Sequence, residues 1–294
     1  MFDRRFITAA FLTAVTAAFA LPWTLIHASD APGRHPLARQ AEAEFFEIFN
    51  NNPESPDAAL TSLMTAFFID PDDAQTNLLL GLNHLWLAAE GDHQNPRTIE
   101  HLYLAEDFLR RAADLNPDDA RMHSWLIPAR LSLARIEQND EHVEELSNAM
   151  REAYDTDPNF HSFIVGVQGF EAPRDDPRFT FALEAMRSTT GCADSDDLSC
   201  ANHPRWPHNI EAFLVFAADF ELKAGEVDRA KELLESARRF PDFATWPYGD
   251  EVAERLTTLN ERAARYANDD GDDDPPSLFT GANQHSCQMC HRTR

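Results

Sequence analysis

A chain of 294 residues, 43% of them apolar, can build one large domain or two ordinary ones around a real core. Its 50 acidic and 25 basic side chains leave a formal charge of −25, which repels phosphate backbones and excludes nucleic acid as a natural partner. The same charge suits long-range steering towards a basic partner or adaptation to a salty or alkaline medium.

The first stretch, Met1-Phe2-Asp3-Arg4-Arg5, is followed by residues 6–27 without a single charge. A basic start and an apolar run are the marks of an export signal, and small residues at Ala18-Phe19-Ala20 and Ile26-His27-Ala28 offer cleavage sites. Residues 1–28 are therefore expected to be a signal peptide. About 20 apolar residues also suffice for an uncleaved anchor, although Pro22 and the many alanines and threonines favour cleavage. Either way the remainder is expected outside the cytoplasm, periplasmic or further exported. No second run of membrane-spanning length follows.

From residue 41 to 267 apolar residues recur at three and four, the period of a helix. The pattern repeats itself. Ala59, Leu63, Ala66 and Pro71 return as Ala105, Leu109, Ala112 and Pro117, and again as Leu146, Met150, Ala153 and Pro158. A further copy is Ala230, Leu234 and Ala237, with Pro241 one place early. Small alanines let two helices approach, the larger residue fills the gap, and proline turns the chain, because the residue before it leaves the helical region.

On these residues the chain resembles the tetratricopeptide repeat family, whose unit of about 34 residues is a pair of helices. Leu80-Gly81 matches the family's early Leu-Gly, and Leu214, Ala217, Ala218 and Gly225 match it ahead of the last copy. The spacing departs from the family's: Pro71 to Pro117 is 46 residues and Pro117 to Pro158 is 41. The resemblance implies an all-α, TPR-like solenoid over residues 29–158 and 210–267 that docks a partner protein. A capping helix is expected over 251–267, with Val252, Leu256, Leu259 and Ala263 as its apolar stripe.

Between these parts, residues 159–209 hold Gly166, Gly169, Pro173, Pro177 and a polar loop, and read as an irregular insertion. Only 178–187 looks helical there. Cys192 and Cys200 bracket seven mostly polar residues, and outside the cytoplasm a disulfide is the natural pairing. So short a closure contributes about 2–3 kcal/mol on the loop-entropy model. His203 and His208 flank Trp206 and are weak candidates for a metal ligand.

Residues 268–284 form an acidic linker, broken by Gly271, Pro275 and Pro276, that is expected to be extended and flexible. It leads to residues 285–294, where Cys287-Gln288-Met289-Cys290-His291 spells C-x-x-C-H, the attachment pattern of c-type haem. Two thiols at that spacing form thioethers to the two vinyl groups of one porphyrin, and His291 then lies under the iron as proximal ligand. The expected cofactor is one covalent haem c, with the distal ligand open and His203 and His208 as its weak candidates. No nucleophile and base pair supports an enzyme. The chain is thus expected to be an exported cytochrome that transfers single electrons to a protein redox partner. The alternative is a TPR-like scaffold or assembly protein in which haem is structural or sensory. A third reading leaves the two thiols free for redox exchange.

Overall fold

Proline opens five of the helices, at the first position, where a missing N–H costs nothing because that group has no partner inside a helix. The computed structural model describes residues 33–51, 56–90, 95–156, 158–190, 210–268 and 273–275. Among them every regular element is helical: α1 (Pro36–Asn51), α2 (Pro56–Ile69), α3 (Ala74–Glu90), α4 (Pro96–Leu115), α5 (Ala120–Ile136), α6 (Asp140–Thr156), α7 (Pro158–Phe170), α8 (Pro177–Thr189), α9 (Ile210–Ala224), α10 (Val227–Ala237) and α11 (Gly249–Tyr266), with a short 3-10 turn at Pro241–Ala244. Asn95, Asp119 and Asp176 cap α4, α5 and α8, each side chain accepting the N–H two residues on. None of these helices is long and apolar enough to cross a membrane.

Each helix packs on its sequence neighbours, and contacts two places apart join α1 to α3, α3 to α5, α5 to α7 and α9 to α11. One core lies between α1, α2 and α3, around Phe45, Leu63, Leu80 and Trp86. A larger one lies between α7 and α11, around Phe170, Phe179, Phe216, Phe220 and Leu234. The recurring positions are among the most deeply buried: Ala59, Leu63, Ala105, Leu109, Ala112, Ala230, Leu234 and Ala237 are all 0% exposed. Gly81 shows why alanine and glycine are needed. A Cβ there would lie 2.5 Å from Leu109 Cγ, so α3 and α4 touch at bare backbone.

Two expectations are corrected. Residues 159–189 are not irregular, because α7 and α8 occupy most of that stretch as a helical hairpin. Its glycines are contact points and not turn formers: a Cβ on Gly169 would meet Ala182 Cβ at 2.4 Å and the Arg178 carbonyl oxygen at 2.9 Å. Pro158 and Pro177 start helices there. Ala182, Met186 and Thr189 repeat the four-and-three spacing of the other copies, the signal that would have found this pair.

The acidic linker is not free from its first residue either. Asp273, Asp274 and Pro275 lie against the body, and Pro275 is buried.

Candidate functional site

The residues that carry the sequence's chemistry, Cys287, Cys290 and His291, lie outside the described residues, as do Cys192, Cys200, His203, His208 and the leader. What the structure describes is part of the stretch that leads to them, residues 273–275, seated against the body.

Lys223, near the end of α9, is 5% exposed and lies amid aromatic rings. Its ammonium is 5.2 Å from the centre of the Phe170 ring, 5.7 Å from Phe179 and 5.8 Å from Tyr266, a cage that favours a cation through the ring quadrupoles. It donates to the Phe170 carbonyl at 3.0 Å and to the Asp274 carboxylate at 3.1 Å. Tyr266 donates to the Pro275 carbonyl at 3.1 Å, and Arg265 Nε to the Asp273 carbonyl at 2.7 Å. The Asn268 amide bonds the Asp273 carboxylate. Three side chains from α9 and α11, with Asn268 just past the end of α11, thus fix residues 273–275. Burial, with the Asp219 charge next, pushes the Tyr266 hydroxyl far above its ordinary pKa, so it stays a donor.

Below this clasp lies a buried ion cluster. Asp219 on α9 is 0% exposed and accepts from Arg255 Nε at 3.0 Å, Arg255 Nη2 at 3.1 Å and Arg262 Nη2 at 3.3 Å. Burial works against the Arg255 charge, but the charge and hydrogen bonds of Asp219, with Glu251 at 2.7 Å, outweigh it and hold its pKa above the ordinary value. Arg255 and Arg262 are seven residues apart on α11, two turns on one face. They tie that helix to α9 and so set where Tyr266 stands. The apolar stripe of α11 was legible in sequence. Its two buried arginines were not, since charges on an amphipathic helix ordinarily face water.

The histidines on helices are engaged locally. His123 bonds the Pro117 carbonyl, His142 bonds Glu145, and His161 bonds Ser124. His84 and His101 form a pair across α3 and α4, with Nδ1 atoms 3.0 Å apart and rings stacked, and Phe108 stacks on His84 at 5.7 Å. The contact needs one Nδ1 to donate and the other to accept. Burial, then the neighbouring His101, pulls His84 down to about pH 4. The unfolded ring binds a proton near pH 6.5 and the folded one does not, so stability falls as pH drops from 6.5 towards 4. Urea midpoints at pH 7 and 5 should show a smaller loss in His84→Phe than in the native chain; an equal loss would mean His84 is protonated in the fold. Among the described residues no group of three or more metal-ligating side chains occurs.

Compared with protein-family models, with curated proteins and with solved structures, the chain matches none.

Proposed function

We propose that the chain is an exported c-type cytochrome in which a TPR-like helical body docks a redox partner and a tethered haem exchanges single electrons with it. The observation that carries this reading is the C-x-x-C-H spacing of Cys287, Cys290 and His291. The donor set fits the group: each thiol would add across one vinyl double bond, and the His291 imidazole would supply a ligand to the iron. When bound, haem supplies a reversible one-electron couple. The rest falls to the chain's own residues. Lys223, Tyr266 and Arg265 fix the linker at residues 273–275, so the tether that matters is shorter than its sequence length. From Pro275 to Cys287 is 12 residues, about 20 Å as a flexible chain and at most roughly 40 Å when straight. A tether of that length holds the cofactor at high effective concentration beside any partner seated on the helices.

The test is the visible spectrum of the full chain purified from a haem-attaching host. On reduction with dithionite a sharp α band is expected that stays with the protein through acid–acetone extraction. Cys287→Ser with Cys290→Ser should abolish it and leave the helical circular dichroism unchanged. A colourless native protein with two titratable thiols in residues 285–294 would overturn the reading in favour of a helical scaffold. The scaffold reading further requires that partner binding survive deletion of those residues.

A further inference from the structure

An open pocket lies between α5, α6, α7 and α8. Its lining includes the buried Leu131, Met150 and Val165, and three of the chain's basic residues, Arg135, Arg151 and Arg178, also line it. In a chain with twice as many acids as bases, three guanidiniums in one pocket are a local reversal of charge.

Their bonds leave part of that charge unanswered. Arg178 is paired with Asp176 at 2.6 Å. Arg135 donates to two neutral acceptors, the Gln168 side-chain oxygen and the Gln168 carbonyl, both at 2.8 Å, and its nearest carboxylate, Glu171, is 4.0 Å away. Arg151 stacks on the Phe181 ring at 4.2 Å, and among the described residues no carboxylate lies within ion-pair distance of it. Apolar side chains with cations beside them suit a ligand with an apolar face and an anionic edge.

The chain has a claim on such a ligand, and its tether is linked to the pocket's lining. Gly169 lines the pocket. The next residue, Phe170, gives its carbonyl to Lys223, which holds Asp274. Residues 273–275 are therefore joined to the pocket's Gly169 through Lys223 and Phe170, and the 12 residues that follow Pro275 can span roughly 40 Å at most.

We propose that this pocket receives the propionate edge of the haem carried on Cys287 and Cys290, docking the cofactor against α6–α8 of its own chain. The inference rests on the haem reading above. Two propionates meet Arg151 and Arg135 while the porphyrin edge covers Phe181 and the apolar lining. Electron transfer to a partner then starts from a fixed place on the surface.

The test uses the full-length ferric protein with labelled methyl groups, compared with haem-free Cys287→Ser, Cys290→Ser. A docked ferric iron broadens the signals of Met150, Leu131 and Val165 and leaves those of Leu63 and Leu80 sharp. Arg151→Glu, at an exposed position, should reduce the docked-to-undocked ratio by about fivefold, and Arg151→Lys should largely restore it. A coloured protein in which Met150 stays sharp, or whose broadening is unchanged by Arg151→Glu, overturns the docking and leaves the cytochrome reading intact. Equal shifts of the Arg151 side chain with and without haem would put the acidic linker in the pocket and also overturn it. A colourless protein removes the haem reading itself, and the docking with it.

Discussion

Asp219→Ala is expected to destabilise the fold by about 3–5 kcal/mol, because it takes the buried carboxylate away from two buried guanidiniums. Arg255 is 1% exposed and Arg262 6%, and both donate to that one carboxylate. An exposed ion pair would be worth at most about 1 kcal/mol. Here the cost comes from removing the one fully buried carboxylate that both guanidiniums share, for which the more exposed Glu251 and Glu254 at the rim are weaker substitutes. Urea denaturation of the full chain measures it, and a loss below about 1 kcal/mol would show that water reaches the cluster. Asp219→Leu combined with Arg255→Met and Arg262→Leu should recover most of the stability, since apolar groups of similar volume often replace a buried ion cluster without loss. The triple variant also separates stability from position. It keeps the core but removes the bonds that orient α11, so Tyr266 and the linker it holds become less sharply placed.

The helical body was legible because close-packed helices impose a spacing that any reader of the sequence can count. Alanine, leucine and alanine at four and three recur where backbones touch, and those positions prove to be buried. The hairpin of α7 and α8 was missed for a physical reason. Glycine and proline each have two uses, and Gly169 and Pro177 look like loop residues until Ala182 is seen pressed against the one and the helix start at the other. The anchoring of the linker had no local signature at all. Lys223 and Asp274 are 51 residues apart, and nothing in an acidic run tells which carboxylate will find a buried ammonium. The reverse holds for Cys287, Cys290 and His291. Their chemistry is written in five residues of sequence, and they lie outside the described structure.

Leu109→Ala should cost about 2–5 kcal/mol, the range for emptying a fully buried leucine site. The more telling result concerns its neighbour. In the native background Gly81→Ala places a methyl 2.5 Å from Leu109 Cγ and 2.8 Å from Cδ2. Relieving that clash costs about 1–3 kcal/mol, against a helix-propensity gain of about 1 kcal/mol for replacing glycine. The clash wins, and Gly81→Ala should destabilise or at best be neutral. Once Leu109 is alanine, the two crowding atoms are gone and the closest remaining neighbour is the Leu109 backbone nitrogen at 3.2 Å, a tight but tolerable contact. The added methyl then fills part of the cavity while the propensity gain remains. Gly81→Ala should therefore change sign and stabilise the Leu109→Ala protein by about 1 kcal/mol. Three urea curves beside the native one complete the cycle. Additivity within about 0.5 kcal/mol would mean that α3 and α4 do not touch at these residues. A coupling of the expected sign would tie the recurring small-and-large spacing to the distance between helices. That distance fixes the surface any partner of this chain must fit.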